Sequence, residues 1–327
     1  MLIPRGVITK TDLRSLTSGF SRDLPVKDHA QHKLPPHLIP HPRRPGALVV
    51  GFSQCGGHVI STALSAHPDI VVNTKDIKYF TNKENKSLSW YVSRMPPSLD
   101  HHVTIDVSYS YILNPSALQR LEAYNRTARI IVFLCDPLSR LITLYRETLV
   151  KAKLHNRTLG GATVGNRTFP QPKLTLSAVK FETKGFKSWL GATTPENSSW
   201  ELKPDIASRS GEYFNSFWNL FQLFSRRQVL IVETGRFYKD PRRGLSVLHS
   251  FLKVHQIPEN NHHRNSTNEE FCFTITHGQE KCVKDSAKSA LQLLQRDDLL
   301  FVDSLREFYK SSNAKLFAYL RDEYEWL

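Results

Sequence analysis

The chain has 327 residues, and its 44 Lys and Arg against 30 Asp and Glu leave a formal charge of +14, an excess that calls for an acidic partner. With 40% hydrophobic residues it can bury a core as one large domain or two small ones, which excludes a disordered, collagenous or coiled-coil chain. The longest apolar runs, Ala47 to Phe52 and Ile130 to Leu134, are about a strand long and fall short of the ~20 residues that cross a bilayer.

Taken in order, the N-terminus MLIPRGVITKTDLRSL interrupts any apolar run with charges and a Pro, so neither a signal peptide nor an anchor is expected there. Residues 1–45 carry Pro25, Pro35, Pro36, Pro40, Pro42 and Pro45 among basic and polar residues, which predicts an extended stalk, with one folded domain over 46–327. ALVVGF then reads as a buried strand, SQCGG as a turn and HVISTALSAH as an amphipathic helix ending at Pro68. A second strand, Ile130 to Leu134, runs through Cys135-Asp136-Pro137 into a helix from about Ser139 to Ala152. A helix from Gly211 to Phe224 precedes a third strand beginning at Gln228, and the segment from about Ser286 to Trp326 is expected to be mostly helical. Strands alternating with helices predict an α/β fold, a central parallel sheet flanked by helices.

Six N-x-[ST] sequons, at Asn85, Asn125, Asn156, Asn166, Asn197 and Asn265, point to the secretory lumen, because the motif is modified only there. Cys272 and Cys282 bracket a short polar loop and predict a disulfide-closed hairpin, which suits an oxidising compartment. Cys135 reads first as a buried strand-end thiol, with a bridge to Cys55, which also follows a core strand, as the alternative. The spacing of the four cysteines offers no zinc site.

In an open parallel sheet, ligands sit at the carboxyl ends of the strands, where loop N–H groups and a helix start attract anions. Here that loop is Ser53-Gln54-Cys55-Gly56-Gly57. It lacks the Lys-Ser/Thr of a Walker A loop and the three glycines of a dinucleotide fingerprint, which argues against a nucleotide hydrolase and a Rossmann oxidoreductase. The pairs Arg43-Arg44, Arg226-Arg227 and Arg242-Arg243 and the run His262-His263-Arg264 suit a polyanion, while no nucleic-acid recognition motif is present.

PGALVVGFSQCGGHVISTALSAHPDI, KYF, SLSWYVSRMP, RIIVFLCDPLSRLITLY, GEYFNSFWNLF, RFYKDP and REFYKSSNAKLFAYLRDEYEW together resemble, in order and spacing, the glycosaminoglycan sulfotransferases, in particular the heparan sulfate glucosamine 3-O-sulfotransferases. The resemblance runs from about residue 45 to the C-terminus. It implies a P-loop-like sulfotransferase fold, 3′-phosphoadenosine 5′-phosphosulfate (PAPS) as donor, sulfuryl transfer to a heparan sulfate hydroxyl, and Golgi residence. The family grips the 5′-phosphosulfate with basic residues before the loop glycines and a Thr-Arg pair after them. The matching positions hold Ser53, Gln54, Gly57 and His58, with Cys55 and Gly56 between them. Cys135 stands where the resemblance places an Arg on the 3′-phosphate, and Thr143 where it places a Ser. Ala287-Lys288-Ser289 replaces a closing Lys-Gly-Arg, and Tyr213 is counted with the donor residues, with Trp189 beside it as a cleft-lining aromatic. The family's catalytic Glu matches Asp76; Lys78 and Asp106 stand at acceptor positions, with Thr81 and Val107 where a second acceptor residue and a Lys are implied.

A charge-assisted hydrogen bond contributes roughly 1.5–3 kcal/mol, so losing three or four would remove on the order of 5–10 kcal/mol. A micromolar donor site is worth about 8 kcal/mol in total. The resemblance therefore implies a sulfotransferase whose catalysis is weak or absent, or, as the alternative, a non-catalytic polysaccharide-binding member of the fold.

Overall fold

The computed structural model describes residues 39–159, 185–186, 190, 211, 213–256, 262–265, 270–274, 280–283, 294 and 296–326; of 151–159, 262–265, 270, 281, 283, 296–297 and 300 only the backbone is described. The compact unit starts at Pro40, ahead of the expected start near Gly46. The reason is a two-residue strand, β1 (His41–Pro42), that pairs antiparallel with β4 (Pro97–Ser98). Arg43 locks this pairing, donating from Nε to the Ser98 carbonyl at 2.9 Å and ion-pairing with Asp100. Residues 1–38 of the expected stalk lie outside the described residues.

The centre is a five-stranded sheet in the order β3–β5–β2–β6–β7, with every pairing parallel, as the alternation of strands and helices requires. Its strands are β2 (Ala47–Val49), β3 (Ile70–Asn73), β5 (Val103–Val107), β6 (Arg129–Leu134) and β7 (Val229–Glu233). The middle strand, β2, is fully buried, and its line continues beside β6 through Val50 N–H to the Ile131 carbonyl and Phe52 N–H to the Phe133 carbonyl. After β2 the chain moves to β3 on one side, and after β5 it crosses to β6 on the other. The loop following β2 thus opens at the point where the strand order reverses.

Helices α1 (Gly57–Leu64), α4 (Pro115–Tyr124), α5 (Pro137–Leu159) and α6 (Tyr213–Leu223) carry the chain between strands. Local signals set their ends. Asn114 caps α4 by accepting from Ala117 N–H, with Pro115 in the first turn, where its missing N–H costs nothing. Asp136 starts α5 by accepting from both the backbone and the hydroxyl of Ser139. Short helices α2 (Tyr79–Asn82) and α3 (Leu88–Val92) precede β5, and α7 (Thr234–Lys239) and α8 (Pro241–Leu252) follow β7. Beyond them, β8 (His262–Asn265), β9 (Glu270–Thr274) and β10 (Glu280–Val283) form a separate antiparallel sheet before α9 (Arg296–Leu320).

The hairpin is closed as expected: Cys272 and Cys282 face each other in register on β9 and β10 and form a disulfide. The reading of Cys135 is corrected, since it forms a disulfide with Cys55 and no described cysteine is free. β2 and β6 are adjacent and parallel, so the residues just beyond their carboxyl ends meet. The C-terminal segment is helical over Arg296–Leu320, and the helix ends where Arg321 takes a left-handed conformation (φ 58). Strands β3 and β5 were not legible as strands, and both carry polar residues inside the core, Asn73, Thr104 and Asp106. The main core lies on this sheet, and a second apolar cluster gathers Leu138, Leu141, Ile142 and Tyr145 of α5 with Leu305 and Tyr309 of α9.

Candidate functional site

The loop after β2 is shaped by left-handed residues. Gln54 has φ 63 and Gly56, the residue before α1, has φ 70, a conformation that Gly adopts without cost. No acidic residue stands in the first turn of α1, so its leading N–H groups keep their anion-attracting partial charge. Gly57 lies against Tyr109: a Cβ there would come within 2.4 Å of that ring. Tyr109 follows β5, and its hydroxyl interacts with Ser61 of α1, while burial pushes its pKa up.

The loop is held from below by Arg140 of α5, a buried residue whose Nε donates to the Ser53 carbonyl at 2.8 Å. Its guanidinium lies 5.5 Å from the Phe52 ring centroid and 6.0 Å from that of Tyr213. Tyr213 is buried against Phe52 at 4.2 Å, and its hydroxyl lies 3.9 Å from the Cys55 sulfur. Being oxidised, Cys55 can only accept there. Gln54 donates to the Glu147 carboxylate at 3.3 Å, and His58 is exposed at the start of α1. Thr143 is buried, and its hydroxyl donates to the Ser139 carbonyl one turn back.

Asp76 lies in the loop after β3. One carboxylate oxygen accepts from the Ser108 hydroxyl at 2.5 Å, and the other is 3.9 Å from the Lys78 ammonium. Ser108 is buried and donates its backbone N–H to the Val49 carbonyl at the end of β2. A continuous set of contacts, Asp76 to Ser108 to the neighbouring Tyr109 and on to Gly57, therefore ties the candidate base to the loop. The sequence reading assigned no role to Ser108 or Tyr109. Their signal was present in their place immediately after a strand, but that strand was hidden by its internal carboxylate.

Asp106, expected at the acceptor side, is fully buried. It accepts from the Tyr91 hydroxyl at 2.7 Å and from the Asn73 amide at 3.2 Å, and burial raises its pKa to about 6. This is a correction: Asp106 braces β3, β5 and α3 from inside and presents no surface to an acceptor. Lys78 is exposed beside Asp76. Ala287, Lys288, Ser289 and Trp189 lie outside the described residues, as do Asn166 and Asn197, and of Asn156 and Asn265 only the backbone is described. Asn85 is exposed in the turn after α2; Asn125 ends α4 and accepts from the N–H and hydroxyl of Thr127 of its own sequon.

The arrangement can do two things chemically. The loop and helix start can receive an anion through backbone N–H groups, and Asp76 can accept a proton at the neighbouring strand end. Ser53, Gln54, Gly57 and His58 bring no Lys or Arg side chain to the loop. The buried guanidinium of Arg140 is turned to the loop's own carbonyl. A loop that offers backbone N–H groups and no fixed cationic side chain of its own does not fit a phosphosulfate group.

The architecture is similar to a known one: the crystal structure of a sulfotransferase from Alicyclobacillus acidocaldarius matches with a TM-score of 0.53 at 18% identity, over 86% of this chain and 98% of that one. The fold is that of a sulfotransferase. Sequence makes the relation particular. The human heparan sulfate glucosamine 3-O-sulfotransferase 3B1 is 25% identical over 285 residues, 86% of this chain and 65% of the relative. Human heparan sulfate glucosamine 3-O-sulfotransferase 6 is 24% identical over 287 residues, 87% of this chain and 74% of that protein. The chain is thus similar over most of its length to heparan sulfate glucosamine 3-O-sulfotransferases, and it spans just under two thirds of the length of 3B1. No family model matches the chain.

Proposed function

We propose that this protein is a lumenal, glycosylated, heparan sulfate-binding relative of the 3-O-sulfotransferases in which donor binding, and with it sulfuryl transfer, is weak or lost. The observation that carries the reading is the loop after β2. Gln54 is bonded to a carboxylate, Cys55 is tied to Cys135, Gly57 lies under the Tyr109 ring, and the Arg140 guanidinium bonds the Ser53 carbonyl. PAPS would supply the sulfuryl group in the family, and transfer depends on cations that neutralise its phosphosulfate. Retention on acidic polysaccharide needs only the +14 surface.

One observation supports an active alternative. The Asp76 carboxylate accepts from Ser108 at a strand end, and in this reading it would take the acceptor hydroxyl's proton, with Gly56, Gly57 and His58 offering N–H groups to the anion. Calorimetric titration with 3′-phosphoadenosine 5′-phosphate, using heparin-column retention to report folding, separates the two. No binding at millimolar nucleotide by a folded, heparin-retained protein is expected. Micromolar binding, together with sulfate transfer to heparan sulfate that Asp76→Ala abolishes, would overturn the proposal in favour of the enzyme.

A further inference from the structure

The amino ends of the sheet strands carry a basic site that the loop after β2 does not account for. Ala47, Val103 and Arg129 begin β2, β5 and β6, and beneath them opens a cavity of about 500 Å³ lined by Arg43, Arg44, Arg129, His102 and Asp100 among others. It lies at the opposite end of β6 from the loop, roughly 17 Å away for the five steps between the six residues of that strand at about 3.3 Å each. Its charges do not balance: three guanidinium groups face one carboxylate, which leaves 3 − 1 = +2.

The partners of those groups make the imbalance specific. Arg43 is committed to Asp100 and to the Ser98 carbonyl. Arg44 lies 4.8 Å over the Tyr124 ring and has no carboxylate partner among the described residues. Arg129 is half-buried, yet its guanidinium makes no ion pair or hydrogen bond among the described residues. A guanidinium drawn partly out of water needs an anion or an acceptor to offset its desolvation. A second cavity, of about 420 Å³, shares Pro42, Arg44 and Val92 with the first and continues along α3 past Ser89 and Ser93. The two form one groove, cationic at one end and bearing hydroxyls and apolar side chains at the other.

We propose that this groove binds a segment of acidic polysaccharide, with Arg129 and Arg44 taking a sulfate or carboxylate group, at a site separate from the donor loop. The choice of polysaccharide rests on the function proposed above; the anion site itself rests on the geometry. Fork-shaped guanidinium donors match a planar or tetrahedral oxyanion in bidentate fashion, which selects for such groups over neutral sugars.

The test measures binding of a size-defined heparin oligosaccharide to the full chain and to an Arg44→Gln/Arg129→Gln variant over a range of salt. The variant is expected to bind at least about tenfold more weakly. The slope of its log affinity against log salt should fall by roughly two, one per lost contact, by the counterion-release argument. Equal affinity and slope in the two proteins would overturn the site while leaving polysaccharide binding intact, whereas no binding by the wild-type chain would overturn both. If the variant fails to fold, phenylglyoxal modification of the wild-type protein decides: protection of Arg129 by the oligosaccharide supports the site, and unchanged reactivity refutes it. Displacement of the oligosaccharide by a single-stranded RNA at lower concentration would refute the polysaccharide assignment.

Discussion

The buried carboxylate of Asp106 makes stability depend on pH in a direction opposite to that of most carboxylates. It is fully enclosed, with Tyr91 and Asn73 as donors, and burial lifts its pKa from 3.8 to about 6. Between those values the folded chain holds a proton that the unfolded chain has released. Its contribution is therefore fully present below pH ~3.8 and is lost as pH rises through about 6. Raising the pKa from 3.8 to about 6 corresponds to about 3 kcal/mol. Asp106→Asn removes the titration while keeping the shape, at the cost of setting one amide N–H₂ against a neighbouring donor. Urea unfolding of both proteins at constant ionic strength from pH ~4 to ~7.5 isolates the residue, because other titrations cancel in the difference. The stability of the wild type relative to Asp106→Asn should fall by up to about 3 kcal/mol over that range. A difference that stays flat with pH would refute the reasoning, since it would mean that Asp106 titrates alike in the folded and unfolded chains.

Three further outcomes are expected. A Cys55→Ala/Cys135→Ala variant should lose about 2–5 kcal/mol in urea unfolding, because that bridge closes a sequence separation of 80 residues, against 10 for Cys272–Cys282; non-reducing peptide mapping should recover the Cys55–Cys135 pair from the wild type. Gly57→Ala should destabilise the chain by about 1–3 kcal/mol by driving a Cβ into the Tyr109 ring. Adding Tyr109→Ala should recover part of that loss, and strict additivity of the two changes in thermal unfolding would count against the contact. His67 is buried, with Nδ1 accepting from the Asp69 N–H and Nε2 bonded to the His255 carbonyl, and burial lowers its pKa below 6.5. The unfolded chain therefore takes up a proton that the folded chain refuses, so stability should fall as pH drops below ~6.5, and His67→Gln should flatten that part of the profile.

The strand–turn–helix from Ala47 through Leu64, the strand at Ile130 and the disulfide hairpin at Cys272 were legible because each follows a local rule: an apolar run, a glycine turn, or two cysteines bracketing a short polar loop. β3 and β5 were not, because Asn73 and Asp106 break their apolar runs and are tolerated inside only through hydrogen bonds to each other and to Tyr91. That Ser53, Gln54 and His58 carry no Lys or Arg side chain was visible residue by residue, yet what the loop touches was not. The contacts of Gln54 with Glu147, Cys55 with Cys135 and Gly57 with Tyr109 join positions 93, 80 and 52 residues apart. The sequence by itself determined the alternation that makes a parallel sheet, the loop at its switch point and the basic surface, since these follow from short-range pattern and from net charge. Which side chains meet at that loop, that Asp106 lies inside rather than in the cleft, and that Arg129 opens onto a cavity at the far edge were decided by the tertiary structure, because strand order brings together residues that no local spacing relates.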